Sequence, residues 1–181
     1  MARIELWNGD ICDLEVDAIV NAATVSLWMA TGVGGAIKRA GGDEIELAAV
    51  RQAPVTLGES IVTPSGRLAA RAVIHAVSLD RDRRTSAAAI EAAVRSAMAR
   101  AGEINATSVA FPALGTGVGG FPLDESARIT VRTVREELPA WATIEHVVFA
   151  LRGAAAYQAF QAALAEPAGE PAPAVDRPVA R

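Results

Sequence analysis

An apolar run that breaks into a glycine-rich segment, AFPALGTGVGGFP at residues 110–122, constrains the fold of this chain more than any other stretch. Four glycines fall within the six residues from Gly115 to Gly120, and Pro122 follows them. Glycine lets successive backbone N–H groups turn towards one point and lets a ligand lie against the main chain. A strand that delivers such a loop to a helix is typical of proteins that bind a phosphate or a pyrophosphate.

A second glycine-rich segment, ATGVGG, occupies residues 30–35. It is expected to open a helix over residues 36–40, which Gly41 and Gly42 should end. The amides of this loop and the positive end of that helix would both favour an anion. If the two glycine loops follow strands of one sheet, they meet at one crevice and make one site.

Apolar runs with strand character alternate with helical patterns along most of the chain, which predicts an α/β fold. Strands are predicted at residues 3–7, 18–23, 60–63, 72–77, 108–111 and 145–151. We expect a three-layer α/β/α sandwich with a mixed, largely parallel central sheet, because no helix separates the strands near residues 60 and 72. One domain is predicted over residues 1–165, with a disordered Pro/Ala-rich tail at 166–181.

The composition of the chain argues against several classes of function. The 181 residues contain one cysteine, Cys12, and two distant histidines, so neither a disulfide framework nor a metal site is expected, and no cofactor is predicted. No apolar run approaches the roughly 18 residues of a membrane span, and a cytoplasmic location is expected. The net charge of −4 argues against broad nucleic-acid binding. His75 interrupts an apolar strand and is interpreted as a satisfied core residue.

The segment Gly115–Gly120 matches the G-x-G-x-x-G pattern of dinucleotide-binding Rossmann units, but its context differs. It lies two-thirds of the way along the chain, and Phe121 and Pro122 delay the helix beyond the third glycine of the pattern. The residues that remain are too few for a second mononucleotide half. A Walker phosphate loop is excluded as well, because no Gly-Lys-Ser/Thr sequence follows.

Five blocks of sequence resemble the macrodomains, the ADP-ribose-binding (Appr-processing) family, in both order and spacing. The blocks are GDI at 9–11, VNAA at 20–23, GVGGAI at 32–37, VIH at 73–75 and FPALGTGVGGFP at 111–122. The resemblance spans about residues 3–165. It implies a mixed sheet between helices, with ADP-ribose, free or attached to protein, lying across the crest between the two glycine loops.

The resemblance also implies a role for individual residues. Asp10 would accept a hydrogen bond from the adenine amino group, and the first loop would hold the distal ribose and part of the pyrophosphate. The second loop would cradle the diphosphate, with the Thr116 hydroxyl as an additional donor. Arg152 could stack on the base. The residues expected to bind ADP-ribose are Asp10, Ile11, Asn21, Thr24, Gly32, Val33, Gly34, Gly35, Gly115, Thr116, Gly117, Val118, Gly119 and Arg152. Asn21, an amide within an apolar strand, is also interpreted as a structural tie.

Three departures from the family pattern fall on the distal-ribose side. Thr24 stands where many members have asparagine, Gly34 where hydrolytic members have an aspartate, and Gly119 where an aromatic often covers the ribose. We therefore expect ADP-ribose binding, with weak ADP-ribosyl or O-acetyl-ADP-ribose hydrolysis by substrate-assisted water attack left open and no catalytic residue assigned. The alternatives are a genuine hydrolase of mono-ADP-ribosylated acidic residues, and a reader of poly(ADP-ribose) or nucleic-acid ends.

Overall fold

A computed structural model describes residues 2–167 of the chain. Six strands form one sheet in the order β1-β6-β5-β2-β4-β3. The strands are β1 Arg3–Asn8, β2 Ala18–Thr24, β3 Ser60–Pro64, β4 Ala72–Leu79, β5 Ser108–Phe111 and β6 His146–Leu151. All neighbours pair in parallel except β3 and β4, which are antiparallel. The predicted mixed, largely parallel sheet is confirmed, including the antiparallel pair.

Five helices connect and cover the strands. They are α1 Gly32–Gly41, α2 Asp43–Val50, α3 Ala87–Glu103, α4 Leu123–Glu137 and α5 Ala154–Ala165. Ser86 caps α3, since its hydroxyl accepts from the N–H of Ala89 at 3.1 Å. Across residues 2–167, no helix combines the length and the apolar character needed to cross a membrane. The tail predicted for 166–181 lies, from residue 168 onwards, outside the described residues.

Alternate residues of the buried strands face two separate cores, which makes the molecule three layers thick. Val20 and Ile74 pack on one face of the sheet, together with residues of α3, α4 and α5. Their neighbours Ile19 and Val73 pack on the other face, together with residues of α1 and α2. A strand buried on both faces must be apolar at nearly every position, and this explains the near-continuous apolar runs in the sequence.

The observed boundaries differ from the predicted ones mainly at the first glycine loop. Helix α1 begins at Gly32, whereas the sequence pattern placed its start at residue 36. Thr31 is extended, with φ −139° and ψ 175°, and its carbonyl accepts from the N–H of Gly35 at 3.0 Å. Three glycines of the segment therefore belong to the first turn of a helix, a position that propensity alone disfavours.

The two glycine segments lie at the same edge of the sheet. Strands β1, β2, β5 and β6 run in one direction, so their carboxyl ends share that edge. The first segment follows β2, and the second follows β5, its neighbour. In parallel sheets this edge is the usual place for a ligand crevice.

The larger core contains three aromatic rings in contact, with neighbouring rings tilted by 50° and 48° to each other. The ring of Phe149 lies 5.0 Å from that of Phe160 and 6.4 Å from that of Phe111, measured between centroids. Because Phe149 is fully buried, Phe149→Ala should lower the free energy of unfolding by about 3–5 kcal/mol. Urea denaturation measures this change. Leu57→Ala, at a side chain 40% exposed, is the control and should change it by about 0.5 kcal/mol or less.

Candidate functional site

The first glycine loop contains backbone N–H donors that have no hydrogen-bond acceptor among the described residues. The first turn of a helix leaves its N–H groups without intrahelical acceptors. The Thr31 side chain makes no capping bond, and among the described hydrogen bonds none uses the N–H of Gly32, Val33 or Gly34. These groups lie at the positive end of α1, so they attract an anion.

The second glycine loop has its own internal frame. Phe121 donates from its N–H to the carbonyl of Gly115 at 3.0 Å, and Gly120 donates to that of Gly117 at 3.0 Å. The buried Ser126 hydroxyl of α4 donates to the Leu114 carbonyl at 2.7 Å and anchors the start of the loop. Within the described part of the chain, the N–H groups of residues 116–119 have no hydrogen-bond acceptor. This loop is therefore a second cradle of unpaired donors.

The two loops border one cleft of about 230 Å³. Eight of the predicted site residues line it: Gly32, Val33, Gly115, Thr116, Gly117, Val118, Gly119 and Arg152. Six do not: Asp10, Ile11, Asn21, Thr24, Gly34 and Gly35. The other lining residues are Ala22, Thr31, Leu79, Pro112, Ala113, Ala150, Leu151 and Ala156. Sequence reasoning missed this mostly apolar set, although most of it lies at strand ends beside the motifs, which is the signal that could have identified it.

Asp10 and Arg152 meet at one end of the cleft because the strands that carry them are paired. Asn8 of β1 lies opposite Leu151 of β6, and each strand then leads into its functional residue. Asp10 Oδ1 accepts from the N–H of Cys12 at 3.0 Å, and Oδ2 forms an ion pair with the Arg152 guanidinium. Burial acts to raise the pKa of Asp10, but these two partners outweigh it, so the pKa lies below its ordinary value.

Ile11 and Cys12 follow Asp10 in the chain, and neither side chain is reactive in this environment. Ile11 is 3% exposed and belongs to the core beneath α1. Burial, followed by the nearby Asp10 carboxylate, raises the pKa of the Cys12 thiol to about 12. The thiol stays protonated at neutral pH and is not an activated nucleophile.

Asn21 lies below the first loop and is bonded to His75. Its Nδ2 group lies 3.1 Å from His75 Nδ1, and the opposite ring nitrogen lies 2.9 Å from Thr63 Oγ1. An amide NH₂ can only donate, so Nδ1 of the ring accepts and Nε2 carries the proton. Burial lowers the pKa of His75 to about 4, which keeps the ring neutral. Asn21 is thus bonded across the sheet to β4, not between loops as predicted, and its Oδ1 atom has no partner among the described residues. His75 is a core residue bonded at both ring nitrogens.

Positions 24, 34 and 119, which depart from the family pattern, contribute no side chain to the cleft. The Thr24 hydroxyl lies 3.0 Å from that of Ser26. A Cβ atom at Gly34 would lie 3.1 Å from Asn21 Oδ1, and a Cβ atom at Gly119 would lie 2.7 Å from the Gly115 carbonyl oxygen. A side chain at position 119 would therefore require a backbone shift, whereas one at position 34 would require the Asn21 side chain to move by a few tenths of an ångström.

The Thr116 hydroxyl, predicted as a donor to a diphosphate, has a different acceptor in the structure. It donates to the carbonyl of Ala113 at 3.0 Å, inside its own loop. A hydroxyl carries one proton, so this group offers no second donor to a diphosphate unless it rotates. The donors that face the cleft without a protein acceptor are those of the backbone.

Other ionisable groups near the sheet edge have partners of their own. Asp80 Oδ1 accepts from the N–H groups of Asp82 and Arg84, each at 2.8 Å, which turns the carboxylate into its own loop. Within residues 2–167 there is no group of three or more His, Cys, Asp or Glu side chains arranged to hold a metal ion. The chemistry available at the cleft is therefore anion binding by main-chain amides.

The sequence and the fold together define the family. The Macro domain model matches residues 20–130, and the chain belongs to the macrodomain family. A macro domain-containing protein of Streptomyces griseus is 42% identical over 173 residues, covering 90% of this chain and 94% of the relative. The O-acetyl-ADP-ribose deacetylase of Salmonella typhimurium is 40% identical over 154 residues, covering 82% and 86%.

The chain is also similar to solved macrodomain structures and to a longer relative. A Trypanosoma brucei macrodomain in complex with ADP-ribose matches with a TM-score of 0.82 at 28% identity, over 89% of this chain and 68% of that one. An Oceanobacillus iheyensis macrodomain variant with ADPR gives 0.82 at 29%, over 89% and 91%. An uncharacterised protein of Mycobacterium tuberculosis is 44% identical over 164 residues, which are 91% of this chain but 45% of the relative, so the chain spans about half of that protein.

The buried imidazole makes stability depend on pH. Between pH 6.5 and about 4 the unfolded chain binds a proton at His75 that the folded protein excludes. The free energy of unfolding should therefore fall by about 3 kcal/mol as the pH drops through this window, and it should be unaffected by this group above it.

Urea denaturation at a series of pH values measures this dependence, with His75→Gln as the test variant. The variant should lose most of the slope between pH 6.5 and 4. His146→Gln, at a partly exposed ring that lies 3.1 Å from Glu5, is the matched control and should retain it. A His75→Gln slope equal to that of the unmodified protein would contradict the assignment.

Proposed function

We propose that this macrodomain binds ADP-ribose, free or attached to protein, in the cleft between its two glycine loops. One observation carries the proposal: unpaired backbone N–H groups of Gly32, Val33 and residues 116–119 border the same cleft. A diphosphate presents acceptor oxygens and negative charge, which such donors and the positive end of α1 complement. The solved macrodomains with ADP-ribose and ADPR support the same ligand. We place the end of this domain at residue 165, where α5 ends.

The diphosphate would lie between the loops, with its two ends in different surroundings. The adenine would lie towards Asp10, whose ionised carboxylate can accept from the exocyclic amino group. In the structure the Arg152 guanidinium forms an ion pair with one oxygen of that carboxylate. Binding would therefore shift the guanidinium onto the face of the base, where its planar group can stack. The distal ribose would lie at the first loop, on the side of Thr24.

Two substitutions test the binding site. A Cβ atom at Gly117 would meet no heavy atom within 4 Å, although the residue lines the cleft. Gly117→Val should therefore fold normally and fill the space of the diphosphate, which weakens ADP-ribose binding by roughly tenfold or more. Asp10→Ala should weaken it by roughly tenfold, through loss of a charge-assisted hydrogen bond.

Isothermal titration calorimetry with ADP-ribose measures both effects, and thermal melting verifies the fold of each variant. Asp13→Ala is the matched control, because it removes an exposed carboxylate from the same short turn, Ile11–Asp13. Unmodified protein that fails to bind ADP-ribose would refute the proposal. Normal affinity in both site variants would refute the location of the site.

Hydrolysis of O-acetyl-ADP-ribose is a second candidate function, favoured by the Salmonella relatives that carry the name of that deacetylase. In this reaction water attacks the acetyl carbon, the C–O bond to the ribose breaks, and acetate and ADP-ribose leave. A general base normally activates such water. No described carboxylate or imidazole lines the cleft, and the Cys12 thiol is held in its protonated form. Water would therefore be oriented by the pyrophosphate of the substrate itself.

This mechanism predicts slow turnover that depends on the loops and not on an acid or a base. Incubation with O-acetyl-ADP-ribose and with a glutamate-ADP-ribosylated protein, followed for hours by chromatography of released ADP-ribose, measures it. Gly117→Val should abolish release, whereas His75→Gln, Cys12→Ser and Asp80→Asn should change it by about threefold or less, because none of these side chains lines the cleft. If unmodified protein releases no ADP-ribose, hydrolysis is rejected and the binding function stands alone.

A further inference from the structure

Glu46 is a buried carboxylate that joins the approach of the first glycine loop to two helices. It lies on α2 and is 6% exposed. Its Oε2 atom accepts from the backbone N–H of Met29 at 2.7 Å, and its Oε1 atom accepts from Lys38 Nζ at 2.6 Å. Met29 lies two residues before Thr31, and Lys38 belongs to the last turn of α1. One side chain therefore contacts the chain on both sides of the loop.

Both hydrogen bonds to Glu46 are strong because the carboxylate that accepts them is ionised. Burial acts to raise the pKa of Glu46, but the hydrogen bonds from Lys38 and Met29 outweigh it, and the pKa lies below its ordinary value. The carboxylate is thus charged at neutral pH. Hydrogen bonds to a charged group contribute more to stability than hydrogen bonds between neutral groups.

At the start of the loop, neither Thr31 nor Gly32 forms a side-chain hydrogen bond that would fix its conformation. Gly32 has φ +61°, and a Cβ atom there would meet nothing within 4 Å. Thr31 makes no side-chain capping bond. Met29, in contrast, is 2% exposed and packs in the core with Ile37 and Ile45. The start of the loop is therefore positioned by the buried segment at Met29, whose N–H donates to Glu46.

We propose that Glu46 is a positioning residue for ligand binding, which holds the amides of residues 32–34 in place for the distal half of ADP-ribose. This inference rests on the proposed function. The second loop is anchored separately by Ser126, on a different helix. Loss of the Glu46 contacts should therefore disturb the distal-ribose half of the site and leave the adenine half intact, an asymmetry that general destabilisation would not produce.

The test compares ADP-ribose with AMP, which lacks the distal ribose, by calorimetry on the full chain. Glu46→Ala removes both contacts and should weaken ADP-ribose binding by roughly tenfold, while AMP binding changes by about twofold or less. Glu46→Gln keeps an acceptor for the Met29 N–H and should restore most of the affinity, to within roughly threefold of the unmodified protein. Glu44→Ala, an exposed carboxylate on the same helix, is the matched control and should have no effect.

The outcomes separate this inference from the function on which it rests. If unmodified protein does not bind ADP-ribose, the proposed function fails and this inference fails with it. If unmodified protein binds and Glu46→Ala binds equally well, or loses AMP and ADP-ribose affinity to the same extent, the positioning role alone is overturned. Circular dichroism and thermal melting monitor folding. Should Glu46→Ala not fold, Glu46→Met, which fills a similar volume but offers no acceptor to Met29 or Lys38, must still weaken ADP-ribose more than AMP, and equal losses would refute the proposal.

Discussion

The candidate site depends on backbone N–H groups that the protein leaves without acceptors at one edge of a parallel sheet. The first turn of a helix and a glycine-rich turn both leave main-chain donors without acceptors. Residues 32–34 and 116–119, except the buried Gly34, are exposed or partly exposed, so an external anion can reach them. Residues 32–34 belong to the first turn of α1, and residues 116–119 belong to a loop closed by its own hydrogen bonds. Parallel pairing of β2 and β5 brings the two sets to one cleft. An anionic ligand completes an arrangement that the protein leaves open.

The same geometry separates binding from catalysis. Main-chain amides hold a diphosphate without any titratable side chain, whereas hydrolysis requires an activated water. The Thr24 hydroxyl bonds to that of Ser26, and Gly34 and Gly119 supply no side chain. A Cβ atom at Gly119 would meet the Gly115 carbonyl and require a backbone shift, whereas one at Gly34 would require only a small movement of the Asn21 side chain. This favours a binding site in which the substrate itself orients water.

Much of the fold could be predicted from the sequence, because strands buried on both faces must be apolar and glycine segments must lie in loops or at helix ends. Strand β5 and the antiparallel pairing of β3 with β4 were predicted correctly. The start of α1 was predicted four residues late, because tertiary contacts override the poor helix propensity of glycine. The role of Thr116 as a donor was inferred from residue type, and only the observed bond to Ala113 shows where its proton points.

The sequence by itself determined the family, the alternation of strands and helices, and the two glycine loops, since these depend on local composition and on the order of motifs. Only the tertiary structure decided which atoms meet. Three contacts join residues that are far apart in the sequence. They are the Asp10–Arg152 pair, 142 positions apart, the Asn21–His75 contact, 54 apart, and the hydrogen bond from Met29 to Glu46, 17 apart. Such contacts depend on strand register and helix packing, because side chains far apart in the chain become neighbours only when the sheet places them so.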